Sequence, residues 1–463
     1  MNSVFRACPF PSPFHPVIRN AACPAPIPAM ERRKLRSLSM CRGHPEPNLS
    51  LKRAERERRC ADYDQNIWHD DFIETLGKTK TGVDPIRVER LKQDTLCMFS
   101  GLMDSTRKLE LIDCIVKLGL SDIFRHQIME ALHELAAASQ DDANNLSVYH
   151  AALRFRLLLQ FGYDVSQDLK DRASDSLSGE PLVELLEASN LAREGEDELD
   201  AVWFDVRWQI DVYERSADRN SILLELAKHN FNMLQAIHQE DLKAVSRWWK
   251  DLGLMQHLDF VRDRPVESFF FALGVTPEPE AKSLRRSLAK VVAMLLVIYD
   301  VYDIFGSLEE LRCFTRTIKM WDSDEVEPLP KCFKVCFRAL DDVTNQIARE
   351  CGKEADLDRV LLGLRKAWAN FCEGMFVEAK WDKTGHIPTM EEYLGNAWVT
   401  SSSPLILSHA YHFLSGDRIK DASMQLDENK DIIRDSSIIF RLSNDLRTSV
   451  VSQLSRLSRL PFI

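Results

Sequence analysis

From about residue 58 onward, apolar residues recur at steps of three and four almost without a break. That period belongs to the α-helix, and strand-like alternation is scarce. Leu109 to Lys117 places its apolar side chains at helical spacing and stops before Gly119, a common helix terminator. Ala151 to Phe161 repeats the pattern with Gly162 behind it. Ser221 to Leu252 is a long amphipathic stretch, with Ile222, Leu223, Leu226, Ala227, Phe231, Leu234 and Ile237 along one broad side. Val291 to Gly306 is apolar all round and reads as a mostly buried helix. Prolines 277, 279, 328 and 330 punctuate the second half, and no internal repeat is visible. The pattern predicts an all-α chain of two helical domains, 58–219 and 220–463, behind a non-helical head over 1–57.

Polar residues inside these apolar patterns mark the candidate chemistry. Asp300 and Asp303 stand three apart near the end of the buried run, so an α-helix puts them on one face. A carboxylate among apolar side chains needs a partner. A hard cation such as Mg²⁺ serves, and Mg²⁺ commonly brings a phosphate with it. Asn444, Thr448 and Ser452 follow at steps of four, about 6 Å apart along one helix face. Their oxygens suit a hard cation, and a plain polar face fits as well. Arg262 and Arg264 flank Asp263. Two guanidinium forks match a phosphate, or else form a surface ion-pair network.

Composition narrows the class. Of 463 residues 45% are apolar, enough for real cores, yet no window of roughly 18 uninterrupted apolar residues predicts a membrane span. Eleven cysteines are scattered without CxxC pairs, as in a reducing, intracellular setting. Residues 1–57 hold 10 Lys or Arg against 4 Asp or Glu, with 9 of the 19 prolines. A basic, acid-poor head of this kind resembles an organelle transit peptide, although an ordinary tail has the same composition. The rest of the chain is strongly acidic, which argues against a nucleic-acid partner.

Set in order, a series of motifs resembles the plant terpene synthase family, in its class I, monoterpene-type branch. Arg58-Arg59, eight residues and then Trp68 match its tandem-arginine motif. Leu109-Glu-Leu-Ile-Asp113, Leu118-Gly-Leu120, Leu153-Arg-Phe-Arg-Leu157, Gly195-Glu-Asp197, Ser246-Arg-Trp-Trp249 and Arg262-Asp-Arg264 follow. Glu378-Ala-Lys-Trp381 and Pro388-Thr-Met-Glu-Glu-Tyr393 complete the match. The resemblance implies an N-terminal helical domain and a C-terminal catalytic helical bundle. There Mg²⁺ or Mn²⁺ holds the diphosphate of a prenyl substrate, and an aromatic pocket steers the carbocation left by its departure. It implies metal ligands at Asp300, Asp303, Asn444 and Thr448, Asp300 matching a position that more often braces the site, and diphosphate contacts at Arg262, Arg264 and Arg441; Phe271, where the family commonly has Trp, offers a π face or plain core packing. Arg58, Arg59 and Trp68 belong to a substrate-capping segment. No Asp-x-Asp-Asp sequence is present, so protonation-initiated cyclisation is not implied. The tandem arginines and the basic head favour geranyl diphosphate as substrate and the plastid stroma as location, and the resemblance implies a monomer.

The chain departs from the family pattern at defined positions. Tyr299 stands where the first motif begins with Asp, and Ser452 where the second ends with Glu. Each motif thereby loses a carboxylate, and a phenol with a pKa of about 10 is a poor ligand for Mg²⁺. The segment between Glu196-Asp197 and Trp203 is short, and the resemblance implies a shortened first domain and a catalytic domain incomplete at its C-terminus. Two functions therefore remain: a Mg²⁺-dependent monoterpene synthase, or a catalytically impaired relative limited to prenyl-diphosphate binding or helical association. Asp341-Asp342 and the pair Cys332 and Cys336 read as ordinary helix-face residues.

Overall fold

The computed structural model describes residues 63, 65–77, 84–102, 104–137, 146–163, 206–322, 325–351, 356–415, 426 and 428–457. Every regular element among them is helical. The basic head over 1–57 and the Gly195-Glu-Asp197 motif lie outside them.

Contacts group residues Thr75–Glu240 into one compact unit. Its described helices are α2 (Pro85–Gly101), α3 (Ser105–Lys117), α4 (Arg125–Ala137), α5 (Val148–Gln160), α6 (Val206–Arg215) and the first part of α7 (Ser221–Leu252). Helices α3 and α5 end as the glycine stops predicted, with Gly119 and Gly162 in the left-handed region at φ 69° and 84°. The core is Leu109, Ile112, Ile115, Leu132, Leu153 and Leu157 with their neighbours. One charge pair crosses it. Arg156 donates to Asp113, both being buried, and Lys117 reaches the second Asp113 oxygen at 3.1 Å. This pair gives the Asp113 and Arg156 motif positions a structural role, because a buried charge must be met by its opposite.

The second unit joins residues 63–74 to the chain from Asp241 onward. It contains α1 (Asp70–Thr75), the end of α7, α8 (Pro265–Val275), α9 (Lys282–Asp300), α10 (Leu308–Met320), α11 (Lys331–Cys351), α12 (Leu357–Thr384), α13 (Met390–Thr400), α14 (Ser403–Ser415) and α15 (Lys430–Leu457). Helix α9 is the centre. It packs on α8, α11 and α14, and Leu288, Val291, Met294, Val297 and Ile298 are almost wholly buried. Around it α12 packs on α10, α11, α13 and α14. Capping boxes start α10 at Ser307 with Glu310, and α13 at Thr389 with Glu392. At the α7 end, buried Asp241 ties Arg285 and Arg286 of α9 at 2.6 and 2.8 Å. No helix among the described residues is long and apolar enough to cross a membrane.

Candidate functional site

The buried run does not stay α-helical to Gly306. Helix α9 ends at Asp300, and Val301–Phe305 forms one π-helical turn, closed by the Gly306 N–H donating to the Val301 carbonyl at 2.8 Å. Gly306 is required by close approach: a Cβ there would lie 2.4 Å from the Leu311 side chain. The wider turn separates two residues that ideal helical spacing puts on one face. Asp300 is fully buried, whereas Asp303 is open to solvent.

Their partners differ accordingly. Asp300 accepts the Tyr63 hydroxyl at 2.8 Å and the Arg262 backbone N–H at 2.8 Å, and it pairs with the Arg262 guanidinium at 2.9 Å. Both of its oxygens are thereby committed to protein donors. Asp303 has no such support. The protein wall around it and the neighbouring Glu378 carboxylate push its carboxyl up to about 6, against the pull of Arg262 and Arg441. A carboxylate that is accessible, raised and near a second acid is one that a cation would satisfy.

Glu378 comes from α12. Its oxygens accept the Thr400 hydroxyl at 2.5 Å and the Asn396 amide at 3.3 Å, and face Arg441 of α15 at 3.7 Å. Gly374, one turn earlier, lets α13 close on α12. A Cβ there would sit 2.9 Å from Thr400, and the Gly374 carbonyl instead accepts the Asn396 amide at 3.0 Å. Arg441 also donates to the Tyr393 hydroxyl at 2.9 Å and to Asp445 at 3.1 Å, and Tyr393 donates to the same Asp445. The Arg441 guanidinium carbon lies 5.6 Å from the Tyr393 ring centroid. Glu378, Tyr393 and Asp445 were not among the sequence candidates. The first two sit inside family motifs, and Asp445 is the acid beside Asn444, so a signal existed.

The remaining candidates have other settings. Tyr299 donates to the Thr400 carbonyl at 2.5 Å and stands edge-on to Phe371 at 5.3 Å. Burial drives its phenol far above the usual range, so it stays neutral and serves as a strut between α9 and the α13–α14 junction. Arg264 stands just before α8, donates to the Asp263 carbonyl at 2.9 Å and lies near Glu267 at 3.9 Å. Asp263 accepts from Trp249 at 2.8 Å and Asn66 at 3.2 Å. Phe271 is half-buried on α8, and Trp68 stacks on Phe72 at 6.3 Å. Asn444 is exposed on α15. Thr448 and Ser452 belong to the same helix, with side chains outside the described part; Arg58 and Arg59 lie outside the described residues. Asp341 accepts from Trp321 at 2.6 Å and pairs with Arg365 at 3.5 Å, beside a hollow of about 440 Å³ that shares no lining residue with the acidic cluster.

Among the described residues no group of three or more His, Cys, Asp or Glu forms a ready metal cage. The set offered is one open carboxylate, a second acid nearby and two arginines. That suits Mg²⁺, which is usually held by one or two carboxylates, water and a substrate's own phosphate oxygens.

The chain is helical in two units, and its second unit sets an open carboxylate in the field of two arginines, a set of groups suited to an anion such as diphosphate and its cation. The chain belongs to the terpene synthase family: residues 67–204 match the terpene synthase N-terminal domain, and 250–457 match the family's metal-binding domain. It is 41% identical to an (E,E)-alpha-farnesene synthase of Malus domestica, over 88% of this chain and 80% of that one. It is 37% identical to a chloroplastic terpineol synthase of Nicotiana alata, over 88% and 81%. The isoprene synthase of grey poplar, solved with three Mg²⁺ ions and dimethylallyl-S-thiolodiphosphate, is similar in structure: TM-score 0.70, 32% identity, 84% of this chain and 82% of that one. Family members are lyases that act on prenyl diphosphates.

Proposed function

We propose that the protein is a Mg²⁺- or Mn²⁺-dependent synthase that takes geranyl diphosphate to a monoterpene, as a monomer in the plastid stroma. The observation that carries the reading is Asp303, an accessible carboxylate on which the charges of both Arg262 and Arg441 act. The chloroplastic name of the Nicotiana relative supports the location, and the basic head supports it further. The Malus relative is named for a farnesene, so the assay includes the longer substrate.

In this mechanism Arg262, Arg264 and Arg441 bind the diphosphate oxygens, and Asp303 and Asn444, with Thr448, would hold the metal. Asp300 braces Arg262 instead of ligating. Bound Mg²⁺ supplies positive charge to the departing diphosphate. The C–O bond of the substrate breaks and its electron pair leaves with the diphosphate. Arg262 and Arg441 stabilise that charge without reorganising, because Asp300 already holds the first and Tyr393 and Asp445 the second. The Phe271 ring face stabilises the organic cation, and Arg58, Arg59 and Trp68 close the site against water.

A second reading has its own observation. Tyr299 is neutral and committed to Thr400, so Asp303, on the π turn that follows α9, is the motif's solvent-facing carboxylate. On this reading the protein binds prenyl diphosphate with little or no turnover. Incubation of the purified chain with geranyl or farnesyl diphosphate and Mg²⁺ or Mn²⁺, followed by gas chromatography, separates the two. Monoterpenes from geranyl diphosphate that vanish with chelator establish the synthase. Sesquiterpenes alone move the substrate to farnesyl diphosphate, and no product with either metal leaves the binding reading.

A further inference from the structure

Tyr63 has no part in the chemistry above, yet it closes a ring of contacts around the site's first arginine. Its hydroxyl donates to Asp300 at 2.8 Å, and the Arg262 guanidinium carbon lies 5.1 Å from its ring centroid. Asp300 completes the ring by accepting the Arg262 backbone N–H and pairing with its guanidinium at 2.8 and 2.9 Å. The three residues come from distant parts of the chain, Tyr63 and Asp300 being 237 positions apart.

The arrangement has a physical logic. A fully buried carboxylate needs several donors, and the phenol supplies one that carries no charge. Removing it leaves the buried carboxylate short of a donor and loosens its hold on the guanidinium, while the ring face that limits the guanidinium's swing stays only if the ring does. The Tyr63 segment is anchored independently, by Asn66 to Asp263 at 3.2 Å, Asp70 to Lys250 at 2.9 Å and Glu74 to Arg247 at 2.6 Å. Tyr63 is therefore delivered to Asp300 by contacts other than its own.

We propose that Tyr63 is a positioning residue. Through Asp300 and its ring face it fixes the Arg262 guanidinium on the side where Asp303 stands, ready for a diphosphate anion. The proposal rests on the reading that Arg262 binds diphosphate, and its test does not depend on turnover.

The test uses the full chain with ¹⁵N-labelled arginine, the Arg262 Nε–H resonance being assigned by its loss in Arg262→Lys. Tyr63→Phe keeps the ring and removes the hydroxyl. Exchange of the Arg262 Nε–H with solvent is expected to speed up about 10-fold, the scale of one hydrogen bond to a charged group. Inorganic pyrophosphate with Mg²⁺, measured by calorimetry, is expected to bind about 5- to 10-fold more weakly to Tyr63→Phe and weaker still to Tyr63→Leu. In an Arg262→Ala background Tyr63→Phe should change that affinity no further. An unchanged Nε–H exchange rate in Tyr63→Phe overturns the proposal, as does an equal loss of affinity with and without Arg262. A parent chain that binds no pyrophosphate removes the functional reading instead, and the exchange rate alone then decides the positioning.

Discussion

Replacing Tyr299 by Asp restores the carboxylate that the first motif lacks and removes a strut in the same step. The two effects have opposite signs and are separable. The lost hydrogen bond leaves the Thr400 carbonyl without its 2.5 Å phenol donor, at about 1–2 kcal/mol. The edge-on contact with Phe371 at 5.3 Å contributes about 1 kcal/mol, and the space left by the ring costs about 2 kcal/mol more. The new carboxylate also stands close to Asp303 and Glu378, whose charges already act on this position. Without metal, Tyr299→Asp should lose about 4 kcal/mol, or roughly 8–16 °C in melting temperature for a unit of this size. Mg²⁺ with pyrophosphate should return much of it, since ligand at 100 times Kd adds about 2.7 kcal/mol. Differential scanning calorimetry of parent and variant, each with and without Mg²⁺ and pyrophosphate, reads both terms. The reasoning fails if the metal-free variant melts with the parent. It fails too if Mg²⁺ and pyrophosphate raise both proteins equally, because position 299 would then not be the missing ligand.

Other consequences are as direct. Asp303 titrates near pH 6, and proton and metal compete for its oxygens, so Mg²⁺ affinity should fall about 10-fold between pH 7.5 and pH 5; a flat calorimetric profile would contradict its ligand role. Because that carboxyl is raised in the folded state, its ionisation costs stability as pH rises from about 4 through 6. Asp303→Asn should therefore stabilise the metal-free protein at neutral pH by about 1 kcal/mol after allowing for solvent access, while abolishing its response to Mg²⁺. His409 is buried beside Trp368 with Nε2 unpartnered, and burial lowers its pKa to about 4. The unfolded chain takes up that proton first, so stability falls as pH drops below about 6.5, and His409→Phe should recover about 2 kcal/mol at pH 5 and little of this at pH 7.5; equal effects at both pH values would point to packing alone. Asp241→Asn leaves Arg285 buried without its counter-charge and should cost about 3–5 kcal/mol in urea unfolding, and a loss below about 1 kcal/mol would show the cluster relaxes.

Much of the fold was legible because helix formation is written locally. The amphipathic stretch from Ser221 to Leu252 is one helix with those ends, and the glycines at 119 and 162 sit just past helices as positive-φ residues. Family membership was legible for a different reason: many motifs in fixed order constrain the answer more tightly than any one of them. The pairing of Asp300 with Asp303 on one face was not legible. It assumed a continuous α-helix, whereas the chain makes a π turn at Val301–Phe305 that closes at Gly306, a site too close to Leu311 for a Cβ.

By itself, then, the sequence determined an all-helical terpene synthase chain, and it named Arg262, Asp303 and Arg441 as residues of one chemistry. Only the tertiary structure decided which charges meet. It buried Asp300 between Tyr63 and Arg262, brought Glu378 to Asp303, and turned Tyr299 from a missing ligand into a strut on Thr400. Periodicity reports which face of a helix is apolar, since that depends on residues a few positions apart. Whether a carboxylate on that face finds a guanidinium, a phenol or open water depends on side chains far away in the chain, and no local pattern encodes them.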